Sequence, residues 1–143
     1  MKKNLSIAGI ILILTLLAML PADASEIVIR QGGSLWAKVE SSGYIRINGN
    51  LAGRIESDGT IRKNGSITGS IESDGTIRSN GSIAGSIESG GTLRKSGSII
   101  GSIESGGTIR KGGSIWGSAD KASSFEDKRK IAGVLFFFSN LFD

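Results

Sequence analysis

Residues 53–68 read GRIESDGTIRKNGSIT, and residues 69–84 repeat them closely as GSIESDGTIRSNGSIA. The same sixteen-residue unit recurs from residue 37 to residue 116, in copies that begin at residues 37, 53, 69, 85 and 101. A fixed period of this length is typical of repeat proteins, in which each unit buries its apolar face against its neighbours. We therefore expect one structure built from equivalent units.

Three apolar positions and two glycine positions define the unit. Positions 3, 9 and 15 carry mainly isoleucine, and positions 7 and 13 carry glycine. The predicted apolar centre comprises Ile29, Val39, Ile45, Ile55, Ile61, Ile67, Ile71, Ile77, Ile83, Ile87, Leu93, Ile99, Ile103, Ile109 and Ile115. The predicted turn glycines are Gly43, Gly59, Gly65, Gly75, Gly81, Gly91, Gly97, Gly107 and Gly113.

The glycines indicate tight hairpins. Residues 57–59, Ser-Asp-Gly, fit a type I turn followed by a left-handed glycine, which places Ile55 opposite Ile61. Residues 63–65, Lys-Asn-Gly, fit the same device and place Ile61 opposite Ile67. Ile67 and Ile71 are four residues apart on one strand and so share its face. The fold class is therefore all-β, built from short antiparallel hairpins.

The two ends of the repeat region complete each other. Residues 26–36 match positions 6–16 of the unit, and residues 117–121 match positions 1–5. The first unit lacks its beginning and the last supplies that beginning, which predicts a ring closed by its two ends. Closure removes exposed sheet edges. In this ring Trp36 and Trp116 would pack over the closure, and Arg30 would meet Asp120 across it.

Acidic residues at position 4 and arginines at position 10 also follow the period. Diagonal pairs such as Glu56 with Arg62 would lie on the outer face, where exposed ion pairs contribute about 0–1 kcal/mol each. One interpretation is that they fix the register of the strands, and the alternative is a ring of arginines that binds anions. The net charge of +4 comes from dispersed residues, so we do not expect nucleic-acid binding.

The N-terminus has the pattern of a secretory signal peptide. Lys2 and Lys3 precede an apolar stretch over residues 5–20, and Ala22 and Ala24 fit a small-residue cleavage site. We predict a signal peptide with a signal helix over residues 1–24, cleavage near Ala24 and export to the periplasm, the cell envelope or the medium. The alternative is an uncleaved membrane anchor.

The repeat pattern G-x-I-x-x-D-G-x-I-R-x-x-G-S-I-x resembles the β-flower proteins, whose hairpin petals surround an apolar centre. The match covers residues 26–121, and the tail IAGVLFFF is similar to the C-termini of that family. The resemblance implies a shallow barrel similar in outline to tubby C-terminal domains and phospholipid scramblases, without a known catalytic activity. Family members have four or five petals, whereas this chain has five complete units and one split unit.

The C-terminus divides into two segments. We expect a repeat domain over residues 25–121, a polar basic linker over residues 122–130 and an apolar, Phe-rich helix over residues 131–143. The helix either plugs the ring or lies in a membrane interface with Lys128, Arg129 and Lys130 on anionic headgroups. The side chains that would line the ring or meet lipid are Val134, Leu135, Phe136, Phe137, Phe138 and Phe142.

The chain contains no His and no Cys, which excludes Ser-His-Asp and Cys-His catalysis and the common zinc and haem sites. We predict no catalytic residue, no metal and no cofactor. The predicted function is an exported, monomeric, non-catalytic binding or structural module that contacts lipid or membrane through its centre and tail, or else an unidentified protein or glycan. The alternative is a self-assembling scaffold with a parallel β-helix, similar to bactofilins, which also repeat short G-S-I-x-G-like motifs.

Overall fold

A computed structural model describes residues 26–143 as twelve antiparallel strands and one helix. The predicted signal helix over residues 1–24 lies outside the described residues. The strands are β1 (Ile27–Gln31), β2 (Ser34–Val39), β3 (Tyr44–Ile47), β4 (Asn50–Ile55), β5 (Thr60–Lys63), β6 (Ser66–Ile71), β7 (Thr76–Ser79), β8 (Ser82–Ile87), β9 (Thr92–Lys95), β10 (Ser98–Ile103), β11 (Thr108–Lys111) and β12 (Ser114–Ala119), and the helix is α1 (Phe125–Phe138).

Each strand pairs with its neighbours in the chain, and β1 pairs with β12 to close a barrel. The closing pairs are Ile29 with Ala119, Arg30 with Ser118 and Gln31 with Gly117. The predicted all-β closed ring of antiparallel hairpins is confirmed, with six hairpins, and the parallel β-helix is not the fold. Arg30 lies opposite Ser118 and not Asp120.

The two ends of the barrel carry different turns. At one end, which we call the tip end, one two-residue turn joins the two strands of each of the six hairpins. Asn64 and Gly65 form one of these turns, with φ of 53° and 83°. Positive φ at both residues is the type I′ geometry that Asn-Gly favours. At the opposite end, the base end, Gly59 has φ of 92° and its N–H donates to the Glu56 carbonyl at 3.0 Å.

The predicted turn glycines are at these turns, with one difference. Positive φ occurs at Gly43, Gly59, Gly65, Gly75, Gly81, Gly91, Gly97 and Gly107. In the last tip turn, Gly112 has φ of 57°, and Gly113 is not among the positive-φ residues. Gly112 corresponds to Asn64, so this turn keeps the first left-handed residue of the other tip turns and lacks the second.

The two-residue tip turn moves position 15 to the outside of the barrel. Lys63 pairs with Ser66 and Arg62 with Ile67, so Ile67 shares the outer face with the arginine. The register then shifts through a β-bulge, and Ile61 pairs with Gly69. The prediction that position 15 belongs to the apolar centre is therefore wrong. Four of the residues predicted there are exposed, namely Ile67, Ile83, Ile99 and Ile115.

The interior of the barrel is formed by positions 3 and 9. The remaining predicted members of the apolar centre are all buried, namely Ile29, Val39, Ile45, Ile55, Ile61, Ile71, Ile77, Ile87, Leu93, Ile103 and Ile109. Ile27 and Ala119 extend this layer across the closure. These side chains alternate with outward-facing polar ones, as a strand with one buried face requires.

The helix begins earlier than the sequence predicts. The Ser124 side chain accepts a hydrogen bond from the Asp127 N–H at 3.0 Å, and Glu126 and Asp127 lie in the first turn. Both features stabilise a helix N-terminus. Residues 125–130 therefore form the first turns of α1 and not a linker.

The helix fills the lumen of the barrel. Five consecutive residues, 131–135, are buried, and Ile131, Val134 and Leu135 are 0% exposed. A helix buried on all sides needs surroundings on all sides, and the barrel wall supplies them. Phe142 is also buried, whereas Phe136, Phe137 and Phe138 are half-buried where the helix reaches the tip end.

Candidate functional site

Six large aliphatic side chains are exposed at the same position of the six hairpins. We call them the aliphatic ring, and their exposed fractions range from 51% at Leu35 to 67% at Ile83 and Ile115. The ring consists of Leu35, Leu51, Ile67, Ile83, Ile99 and Ile115. Exposed apolar residues scattered singly need no explanation. A set repeated around the whole tip end is a candidate interaction surface.

Grooves border the aliphatic ring at two of its residues, Leu51 and Ile67. Ile67 borders a cavity of about 190 Å³ that the next hairpin also lines with Arg78 and its turn residues Asn80 and Gly81. Leu51 occupies the corresponding place beside a cavity of about 400 Å³. The surface at the tip end therefore offers both apolar projections and spaces that can receive them.

The arginines of position 10 support the wall beside the aliphatic ring. The Arg62 Nε donates to the Glu56 carboxylate at 2.7 Å, and its Nη1 donates to the Gly65 carbonyl at 3.3 Å. Arg78, Arg94 and Arg110 make the same two kinds of contact. These contacts hold the tip turn against its own hairpin, as the interpretation that the pairs fix the strand register expects. The guanidinium groups thus have hydrogen-bond partners within the barrel.

The closed barrel presents no free sheet edge, since β1 and β12 satisfy each other. Backbone pairing with another chain is therefore blocked while the barrel stays closed. Trp36 and Trp116 lie in the two strands that flank β1, and their rings meet edge to face with centroids 5.3 Å apart. This pair covers the closure from the tip side.

Basic side chains fasten the helix to the wall, a role that the sequence analysis missed. Lys128 is 2% exposed, and its Nζ donates to the Ser105 hydroxyl at 3.1 Å and to the carbonyls of Ala122 at 2.5 Å and Ser123 at 3.3 Å. Three oxygen acceptors satisfy all three donors of a buried ammonium group. Lys128 is therefore not available for a headgroup.

The other two basic residues of this segment also have partners within the chain. The Arg129 Nη1 donates to the Glu72 carbonyl at 3.1 Å, and Lys130 lies 3.4 Å from the Glu126 carboxylate. At the tip end, the Lys63 Nζ reaches the Phe137 carbonyl at 3.4 Å. Lysine near the C-terminal carbonyls complements the helix dipole, and here the barrel supplies it because the last turn of α1 contains no basic residue.

Two aspartates at the base end act as turn residues. Asp58 accepts a hydrogen bond from the Thr60 N–H at 2.9 Å, and Asp74 accepts one from Thr76 at 2.9 Å. The bonds from the threonine backbone, followed by those from its hydroxyl, hold the pKa of each carboxyl below its usual value. Within residues 26–143 no group of three or more metal-ligating side chains is present.

The apolar C-terminal helix lies inside the barrel, whereas contact with a membrane would require it to lie outside. In the described part of the chain, no helix has the length and apolarity to cross a bilayer. The apolar centre is occupied by the chain's own helix, with Leu135 and Val134 fully buried. A partner of the closed barrel therefore has to bind its outer surface.

A protein-family model described as "Bactofilin: Polymer-forming cytoskeletal" matches residues 27–120, which is more than half of the chain. This chain belongs to the bactofilin family. No curated protein and no solved structure shows significant similarity to it. The match covers all twelve strands of this bactofilin and leaves α1 outside.

Two predictions are corrected by this match. The assignment to the β-flower proteins is wrong, since the repeat is recognised as that of bactofilins. The prediction of an exported protein is wrong as well, because a cytoskeletal protein acts inside the cell. The family is described as structural and not as a class of enzymes. The interpretation of residues 1–24 as a signal peptide concerns a segment outside the described residues.

Proposed function

We propose that this bactofilin is a self-assembling cytoskeletal scaffold and that its copies associate through the aliphatic ring. The observation that carries the proposal is the ring itself, with one exposed aliphatic side chain in each hairpin. The family description supplies the partner, since polymer formation requires a second copy of the same chain.

The exposure of the ring suits such an association. Its six side chains are each more than half exposed, and removing an aliphatic side chain of this size fully from water contributes about 1.5–3 kcal/mol. The six hairpins close a barrel, so the side chains point in different directions. One neighbouring copy can therefore cover only part of the ring, and several copies are needed to cover all of it.

The repetition of the ring favours a scaffold over a single pair. The projections recur in every hairpin, and equivalent grooves lie beside Leu51 and Ile67. A projection of one copy can enter a groove of another, and the same contact is available in several directions around the barrel. Interfaces that do not close on themselves produce extended assemblies. This proposal replaces the expectation of a monomer that binds lipid, an unidentified protein or a glycan.

Replacing all six residues of the aliphatic ring by threonine is expected to leave the protein monomeric. Threonine keeps the β-branched shape that strands favour and removes apolar contact area. We expect wild-type protein to form large assemblies in sedimentation velocity and electron microscopy, and the variant to sediment as a single species. The circular dichroism spectrum should be the same for both.

A matched control changes the neighbouring exposed serines to threonine. Ser66, Ser82, Ser98 and Ser114 each precede a residue of the aliphatic ring and are exposed. This variant should assemble like the wild type. If the ring variant assembled to the same size as the wild type, the aliphatic ring would not be part of the interface.

A further inference from the structure

The junction between β12 and β1, which we call the seam, repeats the junctions between the other hairpins. At the seam, Gly117 lies opposite Gln31, Ser118 opposite Arg30 and Ala119 opposite Ile29. Between the first two hairpins, positions 1, 2 and 3 of the unit lie opposite positions 11, 10 and 9 in the same way, with Ala37, Lys38 and Val39 facing β3. β12 and β1 therefore match each other in the same way as the facing strands of any two neighbouring hairpins.

The seam differs from the other junctions in its covalent connection. A base turn links β2 to β3, β4 to β5, β6 to β7, β8 to β9 and β10 to β11. No turn joins β12 to β1, which are the last and the first strands of the barrel. Only non-covalent contacts hold the seam.

Apart from the Trp36–Trp116 pair, the seam has less apolar contact than the other junctions. Position 3 is Ala119 there, whereas the other units have Val39 or isoleucine, so less apolar side chain is buried at this junction. The Asp120 carboxylate accepts a hydrogen bond from the Val28 N–H at 2.8 Å, and the Asp120 N–H donates to the Val28 carbonyl at 3.1 Å. The seam is thus the junction at which the ring opens most easily.

We propose that the seam of this bactofilin opens and that β12 of one copy pairs with β1 of a second copy. Every backbone hydrogen bond of the seam is then made between two copies, so the exchange removes no backbone hydrogen bond. Each added copy leaves one free β12 and one free β1, and a heterologous contact that does not close grows into a filament. The inference rests on the proposed self-assembly and names the strands that join successive copies.

Concentration decides between the closed and the joined states. Within one chain the two ends meet at a fixed effective concentration, whereas pairing between chains increases with protein concentration. Dilute protein should therefore remain as closed barrels and concentrated protein should form filaments. The aliphatic ring faces outward in either state. Association through the ring brings copies together and raises the local concentration at which their seams exchange, so the ring variant is expected to stay as closed monomers.

A cysteine pair across the seam tests the inference. The natural chain has no cysteine, and Arg30 and Ser118 face each other in the register of the seam. We expect Arg30→Cys/Ser118→Cys protein that is first assembled and then oxidised to give a ladder of covalent multimers on a non-reducing gel. The same protein oxidised as a dilute monomer should lock its own seam and form no filaments until it is reduced; free-thiol titration verifies that the lock has formed.

The matched control places the same pair at a junction that a turn connects. Ser70 lies opposite Arg78 between β6 and β7, at the same positions of the unit. Oxidised Ser70→Cys/Arg78→Cys protein should run as a monomer on the non-reducing gel, whether it is oxidised before or after assembly.

The outcomes separate the inference from the proposed function. Assemblies of the seam variant that crosslink only within single chains would overturn strand exchange and leave association through the aliphatic ring in place. If neither the wild type nor the control variant assembles at any concentration, the proposed function fails and the inference fails with it.

Discussion

Leu135→Asp is expected to unfold the barrel. Leu135 is 0% exposed and lies on the helix inside the lumen. Truncating a buried leucine costs about 2–5 kcal/mol, and an unpaired carboxylate in an apolar interior adds several more. A domain has a free energy of unfolding of about 5–15 kcal/mol in total. Urea unfolding followed by the fluorescence of Trp36 and Trp116 measures the loss.

The matched control is the same kind of substitution on the aliphatic ring. Ile67 is 60% exposed, so Ile67→Asp buries no charge and should change the free energy of unfolding by about 0.5 kcal/mol or less. Equal losses in the two variants would contradict the placement of α1 in the lumen.

The large expected effect reflects the geometry of a twelve-stranded barrel. Eight strands enclose an interior that side chains alone can fill, and the diameter grows with the number of strands. A helix with its side chains is about 10–12 Å across, and here it occupies the additional space. Gly133 marks a close approach, since a Cβ at this residue would lie 2.6 Å from the Ile71 side chain.

The architecture of the barrel could be predicted from the repeat. Glycine at fixed positions between β-branched residues specifies hairpins, and the partial units at residues 26–36 and 117–121 specify closure. These features are local or depend on matching the two ends, so a single sequence contains them. The sequence reasoning missed the start of the helix at Phe125, which Ser124 followed by Asp127 signals as a cap.

The exposure of position 15 depends on a difference of one residue in a turn. A three-residue turn would direct Ile67 inward, and the observed two-residue turn directs it outward beside Arg62. The Asn64-Gly65 dipeptide is a strong signal for the two-residue type I′ turn, so the information was present. The bulge that follows restores the inward direction of Gly69, and no sequence signal identified it.

The family assignment shows the limits of a short repeat pattern. Glycine, serine and isoleucine at regular spacing are compatible with hairpin petals and with the units of a bactofilin, so the pattern alone did not separate the two families. The family model decides the membership, and the strand pairs decide the topology. The fold and the family therefore rest on separate observations.

The second large effect is expected at Gly59. Its φ is 92°, and a Cβ there would lie 2.1 Å from the Ile71 carbonyl oxygen. Gly59→Val therefore combines a backbone conformation that a β-branched residue avoids with a collision against backbone of the next strand. We expect a loss of about 3 kcal/mol or more in the free energy of unfolding, since strained backbone alone costs about 1–3 kcal/mol.

Two further glycines separate these causes. Gly65 has φ of 83° with no atom within 4 Å of its Cβ position, so Gly65→Val should cost only the backbone strain, about 1–3 kcal/mol. Gly90 has open space and no positive φ, and Asp58 and Asp74 occupy the same position in earlier units. Gly90→Val should therefore be nearly neutral. Urea unfolding of the three variants should rank Gly59 above Gly65 and Gly65 above Gly90. Equal losses at Gly59 and Gly65 would mean that the collision with Ile71 is relieved, because only that contact distinguishes the two sites.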